Sequence, residues 1–283
     1  MPVKSKKARA LTVAFQGEEG AFSHAAARKF LGDDVQILAC LRFRDVFAAL
    51  NEKSVTHAVI PIENTLYGSV LENYDNLVEY GVPIIGETSI RISHQLIVMP
   101  GTKFRHVNKV YSHPVALSQC LEFFRANPRM TIMPHYDTAG SVKMLKEERP
   151  EQAAAIASEA AARIYGGVIL KRNIEDDRQN FTRFFLLSRA GVRERAGAAW
   201  KTTLVFGVAN EPGALFKSMA CFALRGVNLT KLESRPLRGR PWEYLFSLDL
   251  VGRSTDRNVA KAIDHLREMT SILTILGSYQ ATV

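Results

Sequence analysis

The sequence predicts an α/β protein in two parts: a large segment built on mostly parallel sheets, then a small βαββαβ unit. Short apolar runs alternate with helical patterns through about the first 190 residues, which is typical of parallel strands joined by helices. The charged, Gly/Ala-rich stretch AGVRERAGAA then interrupts this pattern. Beyond it, about 80 residues follow the order βαββαβ, which indicates a ferredoxin-like arrangement.

The strands of the first part are predicted from seven apolar runs, which are LTVAF, HAVIPI, HQLIVM, NKVYS, MTIMPHY, AAAIAS and TRFFLLSR. Several of the helices between them begin with a residue type that caps helix N termini. The expected caps are Ser23, Ser112, Asp137 or Thr138, and Ser158, and Gly32 is expected to end the first helix. Because such turns gather at the carboxyl ends of parallel strands, we expect one crevice that suits carboxylates or phosphates.

The second part begins with the strand TTLVFGVA and the helix GALFKSMACFALRG, which is expected to end at Gly226. The strands NLTKLESRPL and PWEYLFSLDLV, the helix DRNVAKAIDHLREMT and the strand SILTILGSY complete it. The boundaries are therefore a basic, disordered tail over 1–10, the first part over 11–190, a linker over 191–200 and the second part over 201–283.

The composition and charge of the chain argue against a nucleic-acid-binding, secreted or membrane protein. The net charge is +9, but Lys4, Lys6, Lys7 and Arg9 of the tail supply four of these charges, and no basic stripe is interleaved with aromatic residues. We therefore expect no nucleic-acid partner, whereas small anionic substrates are compatible with the mild excess. The chain has three widely spaced cysteines, too short an apolar start for a signal peptide, and no apolar run of about 18 residues. We expect a soluble, cytoplasmic protein without a membrane partner.

Sequence motifs for metals and hydrolytic nucleophiles are absent. The histidines are dispersed, with neither an HExxH motif nor paired cysteines, so no metal site is expected. Ser23-His24 and Ser112-His113 are adjacent in the chain and cannot face each other as a catalytic dyad must.

Polar residues crowd the ends of several apolar strands. Glu63, Asn64 and Thr65 follow VIPI directly, and the segment 87–89 (Glu-Thr-Ser) precedes another strand, where a structural crossover between lobes is an equal alternative. In DDRQNFTRFFLLSR, Asn180, Thr182 and Arg183 stand at the mouth of a strand, where a turn residue and a surface charge would be the simpler interpretation. Buried polar groups at such places need partners or a ligand.

Five stretches, IPIENTLYGSV, VYSHP, DDRQNFTRF, GALF and NLTKLESRP, together resemble prephenate dehydratase, the enzyme of phenylalanine biosynthesis, fused to its regulatory ACT domain. The resemblance runs from about Val13 to the end of the chain. Three positions depart from it: Thr65 where the family often has Ser, Val115 where it often has Gln, and Glu18 where it frequently has Pro.

The resemblance implies a catalytic domain over 11–190 with two lobes, like type II periplasmic binding proteins, and an ACT domain over 201–283. The substrate would lie between the lobes, and TRFFLLSR would return to the first lobe. The implied reaction is the decarboxylating dehydration of prephenate to phenylpyruvate, with no cofactor.

The resemblance also implies roles for individual residues. Thr182 is expected to donate a hydrogen bond or a proton to the leaving hydroxyl, with Asn64 and Glu63 beside it in the catalytic set. Arg183 could pair with a substrate carboxylate, and Phe184 would form an apolar wall or a core contact. The expected substrate-binding residues are Ser23, Thr65, Ser89, Ser112, His113, Gln119, Asn180, Arg183 and Phe184.

In the second part, EPGALF and NLTKLESRP resemble the phenylalanine-binding segments of ACT domains, so L-phenylalanine is the expected effector. An ordinary helix start in a domain that only dimerises is the alternative, and a homodimer or homotetramer is expected in either case. The expected effector-binding residues are Gly213, Ala214, Leu215, Asn228, Leu229, Glu233, Ser234 and Arg235.

Two other functions stay open at this point. An arogenate dehydratase would perform the same chemistry on a substrate with an amino group in place of the keto group. A non-catalytic sensor of amino acids or anions would need no hydroxyl at Thr182. Only a basic tail precedes LTVAF, so no chorismate mutase domain is expected.

Overall fold

The computed structural model describes residues 11–191, 198–236 and 243–281. The predicted tail over 1–10 and most of the predicted linker lie outside the described residues. The chain divides into two compact units: unit 1 comprises Met1–Val70 and Ser89–Phe184, and unit 2 comprises Leu71–Thr88 and Phe185–Val283.

Unit 1 contains two sheets, and the first is built from the N-terminal segment. Its elements in chain order are β1 (Thr12–Gln16), α1 (Phe22–Leu31), β2 (Gln36–Cys40), α2 (Phe43–Asn51), β3 (His57–Asn64) and β4 (Gly68–Ser69). β1 lies between β2 and β3 and is parallel to both, whereas β4 pairs with β3 in the antiparallel sense. The middle of β1 is buried on both faces, as expected for a parallel strand covered by helices.

The second sheet of unit 1 has the strand order β10-β6-β9-β7-β8. Its strands are β6 (Gln95–Val98), β7 (Lys109–Ser112), β8 (Thr131–Pro134), β9 (Ala153–Ala157) and β10 (Val168–Lys171). Its helices are a short 3-10 helix (Phe104–His106), α4 (Pro114–Ser118), α5 (Leu121–Ala126), α6 (Thr138–Glu148) and α7 (Glu159–Tyr165). β7 is parallel to β8 and β9, and β6 is antiparallel to β9 and β10. The predicted two-lobed α/β architecture is confirmed by these two sheets.

Two strands belong partly to each unit. The division falls inside β5 (Ile84–Arg91), between Thr88 and Ser89, and inside β11 (Phe181–Leu187), between Phe184 and Phe185. The segment 87–89 precedes β6 as predicted, but it also forms part of β5, a strand that was not predicted.

Unit 2 combines a helix from the middle of the chain with the C-terminal segment. Its elements are α3 (Leu71–Tyr80), β12 (Trp200–Val208), α8 (Ala214–Ala223), β13 (Leu229–Pro236), β14 (Tyr244–Val251), α9 (Arg257–Met269) and β15 (Ile272–Gln280). The strand order is β13-β14-β12-β15, with antiparallel neighbours, and β15 pairs further with β5 through Gln280 and Gly86. The predicted βαββαβ topology is confirmed. α8 ends at Ala223, three residues before the predicted Gly226.

Two of the predicted helix caps are confirmed. The Asp137 side chain accepts a hydrogen bond of 2.7 Å from the Gly140 amide at the start of α6, and the Ser158 hydroxyl accepts one of 3.0 Å from Ala161 in α7. Gly32 ends α1 with a φ of 90°, as expected.

The other two predicted caps are wrong. α1 is capped by Ala21 without a side-chain bond, and Ser23 is the second residue of the helix. α4 is capped by His113, whose Nδ1 accepts a hydrogen bond of 3.3 Å from Val115. The Ser112 hydroxyl is used elsewhere, because it donates to the carbonyl of Ile156 on the neighbouring strand. In the part of the chain that the structure describes, no helix is both long and apolar enough to span a bilayer.

Candidate active site

The candidate site lies in unit 1, where the carboxyl edges of its two sheets meet. Parallel pairing places the ends of β1 and β3 at one edge and the ends of β7, β8 and β9 at another. The edges touch through the Ser158 hydroxyl, which donates a hydrogen bond of 2.6 Å to the carbonyl of Gly20 after β1. The carboxyl ends of parallel strands are where ligands of such sheets bind.

Asn64, the last residue of β3, is the centre of a hydrogen-bond network. Its Nδ2 lies 2.7 Å from Asn180 Oδ1, 3.0 Å from Thr182 Oγ1 and 3.1 Å from the Phe181 carbonyl. Its Oδ1 accepts from the amides of the following turn, which is the turn-forming role that asparagine favours. The amide group is therefore held from both ends, and its N–H groups point at the start of β11.

Thr182 has hydrogen-bonding capacity to spare. Its Oγ1 accepts from Asn64, so the hydroxyl hydrogen is directed elsewhere. Among the residues that the structure describes, that hydrogen has no acceptor. The hydroxyl is half-buried and is free to donate to a ligand.

Asn180 is fully buried and also keeps an unused donor. Its Oδ1 accepts from Asn64, and its carbonyl accepts a 2.8 Å bond from the Ile92 amide. Its Nδ2 has no hydrogen-bond partner within 11–191, 198–236 or 243–281. An unsatisfied buried amide costs folding free energy, so this donor indicates a place for a ligand acceptor.

Arg183 and Glu63 form an ion pair one position along β11 and β3 from this network, where alternation along a strand directs their side chains to the other face of the sheet. Arg183 Nη2 lies 3.1 Å from Glu63 Oε2, and 13% of the arginine side chain is exposed. The guanidinium is mainly buried and is oriented by Glu63, and its pairing with a substrate carboxylate stays a prediction.

Thr65 joins the two chain segments of the network. Its hydroxyl donates to the Gln179 carbonyl at 2.8 Å and accepts from the Phe181 amide at 3.0 Å. Its own amide donates to the Phe181 carbonyl at 2.9 Å. Thr65 therefore positions the start of β11, a task that either threonine or serine can perform. Phe184 is buried, in keeping with a core contact.

The second sheet contributes the predicted residues Ser112, His113 and Gln119 with their side chains already engaged. Gln119 Oε1 lies 2.7 Å from Nε2 of the buried His94. Burial lowers the pKa of His94 and also that of His113. Both imidazoles are therefore neutral hydrogen-bonding groups near pH 7.

Two further predicted residues are not brought into the Asn64 network. Ser23 is buried within α1. Ser89 is exposed on β5, where its carbonyl accepts a 3.0 Å bond from Lys29 Nζ. Their direct contact with substrate stays a prediction.

Sequence reasoning missed four polar residues near the sheet edges: Glu18, His94, Tyr136 and the carboxylate function of Asp137. Asp137 was predicted only as a helix cap, yet it is 8% exposed and burial raises its pKa. The signal that could have found them is position, because Glu18 follows β1 and Tyr136 and Asp137 follow β8, as site residues of parallel sheets do.

The predicted effector residues of unit 2 lie at the start of α8 and along β13. Gly213 caps α8 with a left-handed φ of 79°, and Ala214 and Leu215 form its first turn. Asn228 is exposed just before β13, which begins at Leu229.

Two of the charged effector candidates already have partners within unit 2. Glu233 Oε2 lies 3.0 Å from Lys231 Nζ. Arg235 pairs with Asp75 of α3 and donates a 3.0 Å bond to the Leu71 carbonyl. Ser234 lies between them on β13.

Comparison with known proteins identifies the family of this chain. The family model described as prephenate dehydratase matches residues 13–192. A relative from Arabidopsis thaliana, arogenate dehydratase/prephenate dehydratase 2, chloroplastic, is 40% identical over 276 residues, which cover 94% of this chain and 72% of the relative.

Solved structures give the same answer for the fold. The prephenate dehydratase from Arthrobacter aurescens, in complex with L-Phe, matches with a TM-score of 0.86 and 32% identity over 95% of this chain and 90% of that one. A structure described as GqqA, a novel type of quorum quenching acylase, matches with a TM-score of 0.87 and 34% identity over 96% and 98%. The chain belongs to the prephenate dehydratase family.

Proposed function

We propose that this chain converts prephenate to phenylpyruvate, carbon dioxide and water at the Asn64 network. One observation carries the proposal: the Thr182 hydroxyl accepts from Asn64 and keeps its own hydrogen for a ligand. Membership of the prephenate dehydratase family supports the same reaction.

The reaction needs a hydrogen-bond or proton donor at the leaving hydroxyl of the substrate. When the ring carboxylate leaves as carbon dioxide, the electrons of the broken C–C bond enter the ring, and the para hydroxyl leaves with a proton as water. Thr182 donates to that hydroxyl, and the N–H of Asn64 stabilises negative charge that develops on Thr182 Oγ1. Positioned proton transfer contributes about 10²–10⁴ in rate, and aromatisation of the ring supplies driving force.

The carboxylates of prephenate need the other donors of the site. The unused amide hydrogens of Asn180 are suited to hold the carboxylate that is retained. The departing carboxylate reacts more readily where it is poorly solvated.

The test is to add prephenate to the purified chain and to follow phenylpyruvate by its absorbance in alkali. We expect product formation that saturates with prephenate. A folded chain that binds prephenate without turnover would contradict the proposal and favour the sensor. Values of kcat/KM measured side by side decide between prephenate and arogenate as the preferred substrate.

We also propose that unit 2 binds L-phenylalanine and thereby regulates unit 1. The A. aurescens relative was solved in complex with L-Phe, and Gly213 and Ala214 open a helix whose amides suit a carboxylate. Regulation requires that phenylalanine bind one conformational state of the protein better than another. Calorimetry that detects no binding at millimolar phenylalanine would remove this part of the proposal.

A homodimer or homotetramer is the proposed assembly. Phe216 and Leu224 on or next to α8 are 77% and 79% exposed, which a further interface would cover. Light scattering measures the assembly directly, and a monomer at micromolar concentration would contradict it.

A second candidate activity is amide hydrolysis, favoured by the resemblance to the structure described as an acylase. Hydrolysis by Thr182 would require a general base, but its bonded neighbour is the N–H of Asn64, which is a donor. Release of an amine from an N-acyl substrate, abolished in Thr182→Ala, would establish this activity.

A further inference from the structure

The loop between β1 and α1 is held by side chains of the second sheet of unit 1. The carboxylate of Glu18 in this loop has two partners. Its Oε1 accepts a 2.9 Å hydrogen bond from the Tyr136 hydroxyl, and its Oε2 lies 3.0 Å from Lys143 Nζ. Tyr136 follows β8, and Lys143 lies one to two turns into α6. One side chain of the first edge is therefore bound at two points to the second.

The backbone of the same loop lies close to residues of the second edge. The Gly20 carbonyl in this loop accepts a hydrogen bond from the Ser158 hydroxyl of the second edge. Gly17 and Gly20 have φ of 110° and 90°, and a Cβ on either would come within 3.0 Å of Asp137 or Ala161. Larger residues at these two glycines would push the edges apart.

The Tyr136 hydroxyl is protonated at neutral pH and can therefore donate a hydrogen bond. Burial, followed by the hydrogen bond to Glu18, raises its pKa well above the usual range, so the phenol keeps its proton throughout the neutral range. Its ring packs against Gly140, where a Cβ would lie 2.7 Å from ring atoms.

The two edges are bridged a second time at a separate loop. Tyr67, three residues after Asn64, forms a short hydrogen bond with Ser118 at the end of α4. The two edges are therefore joined at both loops.

We propose that Glu18 is a latch: its bonds to Tyr136 and Lys143 hold the two edges together over the bound substrate, and they open for substrate entry and product release. The inference rests on the proposed function, since it assigns Glu18 as a positioning residue for that site. The side chains of Glu18 and Lys143 are 23% and 37% exposed. Ion pairs with this exposure contribute modestly, so the latch can open in each catalytic cycle.

The chain offers a matched control for this latch. Glu19 is the next residue, is exposed, and makes no hydrogen bond or ion pair with the described residues. Glu18→Gln and Glu19→Gln therefore remove the same charge from the same loop, but only the first weakens the bonds to α6 and Tyr136.

We expect Glu18→Gln to raise KM for prephenate about 3- to 5-fold, the effect of losing one partly exposed ion pair. We expect kcat to change less than about 2-fold, because the reacting groups are untouched. Glu19→Gln should leave both constants unchanged. Equal kinetics for the two variants would overturn the latch.

A charge swap separates a latch from a merely structural role. Glu18→Lys combined with Lys143→Glu restores the ion pair and should bring KM back towards the native value, whereas each single reversal raises it. No recovery in the double variant would contradict the assigned pairing.

Hydrogen exchange tests the latch without any turnover. Amides of residues 17–21 should exchange faster in Glu18→Gln than in Glu19→Gln, in the absence of substrate. If the chain proves inactive on prephenate, the proposed function fails while this readout still reports on the latch. Identical exchange in both variants would refute it.

Discussion

Two polar networks of this protein each contain a threonine hydroxyl, but they differ in how fully their hydrogen-bonding groups are used. In unit 2, the Thr203 hydroxyl donates to Asp249 Oδ1 at 2.7 Å and meets the Tyr279 hydroxyl at 2.7 Å. In unit 1, Thr182 and Asn180 share the amide of Asn64, yet each keeps a donor without a partner among the described residues.

The difference distinguishes a network that can bind a ligand from one that only stabilises the fold, although both contain a threonine hydroxyl. A network whose capacity is filled contributes to stability, because every buried group exchanges its water for a partner. In a network with unused donors, unsatisfied polar groups lower the folding stability, and a bound ligand that accepts from these donors removes that cost. Four sets of variants test whether the two networks differ in this way.

The largest effect is expected at Thr182. Thr182→Ala should lower kcat by about 10²–10⁴, because it removes the proposed donor to the leaving hydroxyl. Thr182→Ser keeps the hydroxyl and should lose far less. Steady-state kinetics on both variants provide the measurement, and near-normal kcat in a folded alanine variant would show that Thr182 is not the donor.

Asn180→Ala should lower kcat/KM by about 10- to 100-fold, since a hydrogen bond to a charged group contributes about 1.5–3 kcal/mol. Its effect on the free energy of unfolding should be small by comparison, because one of its donors is already unsatisfied. Kinetics and urea denaturation of one preparation measure both quantities. A variant that loses stability but keeps kcat/KM would place Asn180 with the structural network.

Thr203→Val in unit 2 should behave in the opposite way. It removes the donor to Asp249 and the partner of Tyr279, so the free energy of unfolding should fall by about 1–3 kcal/mol. The kcat of the protein that remains folded should be unchanged. A valine variant as stable as the native chain would show that the filled network contributes nothing.

The smallest expected effect is the contribution of His94 to the pH dependence of the free energy of unfolding. Burial lowers the pKa of His94 in unit 1 below its ordinary value of 6.5, although Gln119 and Glu175 act in the opposite direction. The unfolded chain therefore takes up this proton first, and stability is lost as pH falls from 6.5 towards the lowered pKa. Denaturation at pH 7.5 and 5.5 should show a smaller loss in His94→Gln than in the native chain. Equal losses would mean that His94 does not contribute.

Much of the fold follows from the hydrophobic pattern. All seven apolar runs of the first part form strands, and those of β6 and β9 are buried on both faces, as continuous apolar runs predict. β2, β4, β5 and β10 were not predicted. β2 is largely exposed and β5 contains Glu87, Thr88 and Ser89, so neither forms a continuous apolar run.

The candidate site was only partly predictable. Asn64, Asn180 and Thr182 could be found because they stand beside apolar strands, but their mutual bonds depend on pairing between distant segments. Ser112 was expected to cap a helix, yet a carbonyl of the neighbouring strand takes its hydroxyl. Such a choice between partners depends on tertiary packing, which spacing along the chain does not encode.

The division of the chain inside β5 and β11 has a consequence for its modularity. The match to the family model ends at residue 192, but Glu87 and Asp75 before that point pair with Lys201 and Arg235 beyond it. A fragment cut at 192 would leave the Glu87 carboxylate, 4% exposed here, without its ammonium partner. Cutting the chain at the end of the family match would therefore remove the partners of two carboxylates, and a different C-terminal domain would have to replace both cations.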